Sequence, residues 1–222
     1  MKTRMHFTLT VIIAAACFSL GAAWPALPGQ DLKSNPNLDK TVQSFLQNQR
    51  GRWRDMNVSE TDGRVLYNLI LEHRYSQALE IGTSTGHSGI WMAWALSKTG
   101  GTLITIEIDE DRYLQAVENF KRAGLAAYAD ARLADAHELA SSLPGPFEFV
   151  FVDADKDWYA NYLKLLWPKL KAEGRFTAHN VLGHMSGIRE FLNSARNLPD
   201  AETVIDQSSG SGMSITYKRA AK

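Results

Sequence analysis

A glycine-rich turn in the first half of the chain has residue types that suit a small cationic ligand. It reads Glu80-Ile81-Gly82-Thr83-Ser84-Thr85-Gly86-His87-Ser88-Gly89 and follows a predicted strand. Glycines permit a close approach of a ligand to the backbone, and the start of the next helix offers unpaired N–H groups. The carboxylate of Glu80 would attract a cation and repel a pyrophosphate. The turn therefore predicts S-adenosylmethionine rather than NAD, and its expected contacts are Glu80, Gly82, Ser84, Gly86 and Ser88.

Acidic residues follow the next two predicted strands, at the edge where open α/β sheets bind their ligands. Glu107 lies about twenty residues beyond the glycines, the position of a carboxylate that accepts hydrogen bonds from ribose hydroxyls. Asp135 follows the third strand and can accept a hydrogen bond from an adenine amino group, while Ala136 leaves room for the ring. Each acid alone is an ordinary strand-end residue, but together they indicate a nucleoside site.

The elements that would position these residues alternate along the chain. Apolar runs predict strands at residues 77–81, 102–108, 131–133, 147–152, 175–178, 202–206 and 213–217. Helical spacing predicts helices at residues 39–48, 87–98, 110–123, 137–142, 158–167 and 185–195, and one after the N-cap Ser59. This order predicts an α/β fold with a doubly wound, Rossmann-like sheet that ends in an antiparallel hairpin.

Composition excludes several other classes. The 222 residues contain 24 Lys plus Arg and 24 Asp plus Glu, so the formal net charge is zero. A chain that binds nucleic acid would carry an excess of basic residues, so we expect no nucleic acid to bind here. A single Cys excludes a disulfide framework. The length suits one domain, which we place at residues 39–222.

The N-terminus has the pattern of an export signal. Lys2 and Arg4 precede an apolar run, and small residues lead to a predicted cleavage site near Ala23. Residues 1–23 thus predict a periplasmic or secreted protein, followed by an arm at residues 24–38. Two alternatives stay open: an uncleaved membrane anchor, because residues 5–27 carry no charged side chain, and a lipoprotein acylated at Cys17.

Several stretches together resemble the catechol and caffeoyl-CoA O-methyltransferase family. They are Ala78-Leu79-Glu80-Ile81-Gly82-Thr83-Ser84-Thr85-Gly86-His87-Ser88, Ile104-Thr105-Ile106-Glu107-Ile108-Asp109, Met56-Asn57-Val58 and Val152-Asp153-Ala154-Asp155-Lys156. The resemblance spans about residues 53–181. It implies a seven-stranded methyltransferase fold with an antiparallel last strand. It also implies that Met56 and Val58 belong to a lid over the cofactor and that Ile108 lies beside it.

The resemblance further implies a transfer site. Asp153 would be a metal ligand, Lys156 the base or the cation that stabilises a phenolate, and Asp155 a neighbour of the methionyl ammonium. The Asp-Asn pair of the family reads His179-Asn180 here. Imidazole suits Mg²⁺ poorly and softer ions better. Three outcomes stay open: a softer ion, weakened metal binding, or metal-free chemistry with His179 as general base. We favour a retained divalent metal, Mg²⁺, Mn²⁺ or a softer ion, held by Asp153, His179 and Asn180.

Two functions are weighed against each other. The first is an S-adenosylmethionine-dependent O-methyltransferase that acts on a small hydroxylated acceptor, with catechol-like aromatics as candidates. The second is an exported binding protein that keeps the cofactor pocket but has lost turnover. An NAD-dependent oxidoreductase is disfavoured by Glu80 and by Ser84, which stands where a dinucleotide turn has Gly. Relatives of this type are often homodimers, so a second copy of the chain is a candidate partner.

Overall fold

The computed structural model describes residues 31–53 and 55–220. The predicted export signal and residues 24–30 of the predicted arm lie outside this range. Within it, no helix is long and apolar enough to cross a membrane. The first helix begins at Pro36, inside the segment that the sequence predicted as an arm. The Asn35 side chain accepts a hydrogen bond from Leu38 N at 3.1 Å, and Pro at the first helical turn favours helix initiation.

Seven strands form one sheet. The strand order is β3-β2-β1-β4-β5-β7-β6, in which β7 is antiparallel to both neighbours and the other paired strands are parallel. The strands are β1 (Gln77–Ile81), β2 (Thr102–Glu107), β3 (Ala129–Leu133), β4 (Phe147–Val152), β5 (Leu170–His179), β6 (Ala201–Asp206) and β7 (Met213–Lys218). The predicted fold class and the antiparallel final hairpin are confirmed.

Seven α-helices cover the two faces of the sheet within the described residues. They are α1 (Pro36–Gln49), α2 (Glu60–His73), α3 (His87–Thr99), α4 (Glu110–Arg122), α5 (Ala136–Ser142), α6 (Tyr159–Leu166) and α7 (Ser186–Arg196). Short 3₁₀ turns flank α6, where the sequence predicted one continuous helix.

Strand side chains alternate between the two faces and build two separate cores. Leu79, Val150 and Phe176 pack with α5, α6 and α7 on one face. Phe149 and Phe151 pack with α2 and α3 on the other face. A third cluster joins α1, α3 and α4 and contains Trp91 and Trp94 of α3. Because both faces are covered, the strands read as apolar runs, which is why β1 and β4 begin and end at the predicted residues.

Strand β5 is longer than the sequence predicted. It begins at Leu170, which pairs with Phe147, and the register shifts before Arg175 pairs with Phe149. Residues 171–173 are exposed at this irregularity, and two of them are charged. The apolar run that signals a buried strand is therefore interrupted, and only its second half is visible in the sequence.

The parallel register brings three chemically important positions side by side. Ile81 pairs with Val152, and Val152 pairs with Ala178. The next residue of each strand or turn, Gly82, Asp153 and His179, therefore lies at the same edge of the sheet.

Candidate active site

A cavity of about 880 Å³ lies at the carboxyl ends of the strands. This volume is near the upper end of the range for small-molecule sites, about 300–1,000 Å³. Thirteen of the residues that the sequence proposed for the site line it: Met56, Val58, Gly82, Ser84, Glu107, Ile108, Asp135, Ala136, Asp153, Asp155, Lys156, His179 and Asn180.

Gly82 allows the turn after β1 to pass close to the backbone that follows β4. Its φ is +94°, and a Cβ there would lie 2.8 Å from the carbonyl oxygen of Asp153 and 2.9 Å from Ala154 N. A side chain would thus force apart the ends of β1 and β4. Glycine at this position keeps the floor of the cavity closed.

Glu107 holds the turn and the end of β2 together. One of its oxygens accepts a hydrogen bond from Ser84 N at 2.6 Å, and the other accepts from Ile108 N and Asp109 N at 3.1 Å. A carboxylate has about four acceptor positions, so about one remains for a ligand hydroxyl. The sequence predicted that Glu107 accepts hydrogen bonds from two ribose hydroxyls. Both could bind only if one hydroxyl shared a carboxylate acceptor position with a backbone N–H group.

The Ser84 hydroxyl is a polar group that the described residues leave without a partner. Its Oγ is buried and has no hydrogen bond to any of them. Ser84 adopts a left-handed backbone conformation, with φ +49°, and lines the cavity. A buried polar atom without a partner costs free energy, so this hydroxyl is well suited to bind a ligand atom.

One end of the cavity combines an acidic side chain with apolar ones. Asp135 caps α5 through His137 N, at 2.8 Å from its Oδ1, and Ala136 follows it. Two apolar side chains that line the cavity, Met56 and Ile108, are unusually exposed, at 66% and 67%. Exposed apolar side chains beside a hydrogen-bonding acid suit a purine.

The lid, residues 53 and 55–59, is tied to the turn before α3. Asn57 Nδ2 donates to Thr85 Oγ1 at 2.8 Å. The ring of His87 stacks on that of Trp53, with 4.4 Å between centroids. Its Nδ1 donates to Val58 O at 2.9 Å, because its Nε2 accepts from Trp91 Nε1. These contacts hold the lid against the turn before α3, and Asn57 lines the cavity.

An ion pair closes the lid on the other side of the cavity. Arg112 Nε lies 2.6 Å from Asp55 Oδ2, and Arg112 lines the cavity from α4. The sequence interpretation did not include Arg112, because an Arg on an amphipathic helix has no local signature of a site.

Glu80 corrects one prediction. It is fully buried beneath the turn and does not line the cavity, and neither do Gly86 and Ser88. Ser88 Oγ and Thr105 Oγ1 each donate to it at 2.5 Å. Burial raises its pKa to about 8, so the carboxyl is mostly neutral at pH 7. The expectation that Glu80 attracts a cationic ligand, and the argument against NAD that rested on it, do not hold in this structure.

A cluster of four ionisable groups lies at the other end of the cavity, where Asp153, Lys156 and His179 line it and Asp62 lies behind His179. Lys156 Nζ donates to Asp153 Oδ1 at 2.7 Å and to Ala154 O at 3.1 Å. His179 Nδ1 lies 3.1 Å from Asp153 Oδ2, and His179 Nε2 lies 3.2 Å from Asp62 Oδ2. The contact to Asp62 is an ion pair without hydrogen-bond geometry, since Nε2 has no hydrogen bond within the described chain.

The carboxylates that face the imidazole favour its protonated form. Burial alone would lower the pKa of His179, but the facing carboxylates of Asp153 and Asp62 outweigh it and raise this pKa to about 9. Burial would raise the pKa of Asp62, yet the facing imidazole of His179 and hydrogen bonds from Ser209 and Ser59 hold this pKa far below its usual range. The two carboxylates and two cations balance one another.

Asp62 is the main residue that the sequence interpretation missed. It was recognised only as an acid in the first turn of α2. It does form a capping box with Ser59, and its Oδ1 also accepts a hydrogen bond from Ser209 Oγ at 2.6 Å. The capping pattern predicts only that a helix starts here. The contact between Asp62 and His179 joins residues 117 positions apart and is visible only in the fold.

The metal expected from the resemblance does not fit these donors. Lys156 occupies one oxygen of Asp153, and each ring nitrogen of His179 faces a carboxylate. Among residues 31–53 and 55–220, no group of three His, Cys, Asp or Glu side chains could hold an ion. The favoured assignment of Asp153, His179 and Asn180 as metal ligands is therefore not supported by this geometry.

Comparisons with known proteins agree with the fold. A family model described as O-methyltransferase matches residues 33–197. A catechol O-methyltransferase from Niastella koreensis is 38% identical over 113 residues, 49% of this chain and 51% of that protein. Caffeoyl-CoA O-methyltransferase 1 from Zea mays is 34% identical over 136 residues, 59% of this chain and 52% of that protein. The match thus spans about half the length of these two relatives.

A solved structure extends the similarity to most of the chain. An O-methyltransferase from Bacillus cereus, in complex with SAH, is 25% identical with a TM-score of 0.70. The match covers 84% of this chain and 92% of that one.

We expect Glu80→Gln to change how stability depends on pH. The folded protein holds the Glu80 proton up to about pH 8, whereas the unfolded chain releases it near pH 4.5. Between these values the free energy of unfolding should fall as pH rises, by at most about 1.4 kcal/mol per pH unit for one proton. Gln cannot titrate, so the variant should lose this slope. Urea unfolding across this range measures it, with the exposed Glu118→Gln as control; equal slopes for Glu80→Gln and the natural protein would contradict the assignment.

Proposed function

This chain belongs to the O-methyltransferase family, and on that premise we propose that it transfers the methyl group of S-adenosylmethionine to a hydroxyl of a small, catechol-like acceptor. The observation that carries the proposal is a single cavity, one end of which suits a nucleoside while the other end is lined by ionisable side chains. Glu107, Asp135 and Ala136 line the first, and Asp153, Lys156 and His179 line the second.

The cofactor would lie along the strand ends. Glu107 would accept a hydrogen bond from the ribose, and Asp135 one from the adenine amino group, with Ile108 and Met56 against the ring. Ser84, Gly82 and Asp155 would face the amino-acid end, where the carboxylate of Asp155 suits the methionyl ammonium. Val58 and the rest of the lid would cover the cofactor.

Methyl transfer would be an in-line displacement. The S–CH₃ bond breaks with its electron pair returning to sulfur, an O–CH₃ bond forms, and the hydroxyl proton leaves to solvent. A phenol with a pKa of about 10 is mostly neutral at pH 7, so the enzyme must favour its anion. The ammonium of Lys156 keeps one of its three donors after bonding Asp153 and Ala154, and this donor would hold the phenolate oxygen.

A direct test is calorimetric titration of the full chain with S-adenosylhomocysteine, followed by methyl transfer from S-adenosylmethionine to catechol. We expect saturable cofactor binding and O-methylated catechol. Binding without product from any of a panel of phenols would favour the exported binding protein that has lost turnover. Absence of cofactor binding would refute both.

Ser84→Ala is expected to weaken binding of S-adenosylhomocysteine by about three- to tenfold, the worth of one hydrogen bond. The empty protein should not lose stability, since the Ser84 hydroxyl has no partner in the described structure. Ser88→Ala is the contrast. It removes a hydrogen bond to Glu80 and should lower the unfolding temperature while leaving cofactor affinity unchanged. Calorimetry and thermal unfolding of both variants measure the two effects, and the reverse pattern would contradict these roles.

Lys156→Met is expected to lower kcat by about a hundredfold, because without the ammonium a smaller fraction of the bound acceptor is the reactive phenolate. Affinity for S-adenosylhomocysteine should stay the same, because Lys156 lies at the acceptor end. Lys164→Met, an exposed lysine of α6, is the matched control and should behave as the natural protein. Steady-state kinetics with catechol decide this, and an unchanged kcat for Lys156→Met would remove Lys156 from the mechanism.

A further inference from the structure

We propose that this site works without a divalent metal ion, because Lys156 and the ring of His179, which is clamped between Asp62 and Asp153, take up the carboxylate oxygens that an ion would need. The inference rests on the proposed function. It explains why the family's Asp-Asn pair is His179-Asn180 in this chain.

The first argument is the orientation of the ring. Both nitrogens of His179 face a carboxylate, Nδ1 at 3.1 Å from Asp153 and Nε2 at 3.2 Å from Asp62. Turning the ring over about Cβ–Cγ would place Cδ2 and Cε1 against these carboxylates and lose both contacts. Both nitrogens therefore face acids rather than the open cavity.

The second argument is that the carboxylate oxygens are occupied. Lys156 Nζ lies 2.7 Å from one oxygen of Asp153, and the ring of His179 faces the other oxygen of Asp153 and one oxygen of Asp62. The side chains of Asp62 and His179 are only 1% and 5% exposed. A divalent ion would have to displace Lys156 or His179 from these oxygens.

Asp62 is the positioning residue of this arrangement. It does not line the cavity, so it acts only through the imidazole. Its own side chain is fixed by Ser59 and by Ser209, which brings the lid, α2 and the loop before β7 to one point. His179 is thus held by a carboxylate that two serine hydroxyls fix in place.

The deciding experiment measures metal binding directly. The full chain, saturated with S-adenosylhomocysteine, is titrated with Mn²⁺ and the free ion is followed by electron paramagnetic resonance. We expect no saturable binding by the natural protein. We expect His179→Asp to bind Mn²⁺, and this gained binding to disappear in the double variant His179→Asp, Asp153→Asn. Saturable Mn²⁺ binding by the natural protein that is lost in Asp153→Asn would overturn the inference.

Turnover gives a second readout. Methylation of catechol by the natural protein should stay within about twofold after exhaustive chelation. Loss of turnover on chelation, restored by Mn²⁺ or Mg²⁺, would overturn the inference even if the proposed function stands. A failure to bind S-adenosylhomocysteine in the same samples would instead refute the proposed function, and this inference with it.

Asp62→Asn tests the clamp. Asn keeps an oxygen for the capping box but no charge, so kcat should fall about tenfold or more as His179 loses its position. KM for S-adenosylmethionine and affinity for S-adenosylhomocysteine should not change, which separates positioning from general loss of structure. Glu60→Gln, two residues earlier in the same turn, is the matched control and should leave kcat unchanged. Equal kcat for Asp62→Asn and the natural protein would rule out the clamp.

Discussion

A buried imidazole that faces one carboxylate on each side ties together four parts of this fold. His179 ends β5, Asp153 follows β4, Asp62 lies in the first turn of α2, and Ser209 lies in the loop before β7. Burying this many ionisable groups is unfavourable unless each has a partner. The register of the parallel strands places Asp153 beside His179. The capping box of α2 holds Asp62 on the other side of the same ring. The acceptor end of the cavity therefore depends on elements from both halves of the chain.

Most of the fold could be predicted because the sheet is buried on both faces. Such strands appear as apolar runs that end where the chain turns, and β1 and β4 are found at the predicted residues. The start of α1 was placed too late because Pro36 after Asn35 is equally typical of a loop and of a capped helix. Strand β3 was predicted too short because it is an edge strand with half-exposed residues and no continuous apolar pattern.

The candidate site was predictable to the extent that it follows strand ends. Glu107, Asp135 and Asp153 line the cavity because parallel strands deliver their last residues to one edge. Glu80 was misplaced for a different reason. Its distance from the glycines is right, but its side chain lies between α3 and β2, where Ser88 of α3 and Thr105 of β2 donate hydrogen bonds to it. Spacing along the chain does not report the direction or the protonation state of a side chain, and for Glu80 both decide its role.

The double duty of Asp62 limits how such a site could change during evolution. With Asp at position 179, two buried carboxylates would oppose each other, and they could not both stay ionised without a captured cation. With His at position 179 but no acid at position 62, the imidazole would lose one of its two charge partners. Residues 62 and 179 should therefore change together. Relatives with His at position 179 should carry an acid at position 62.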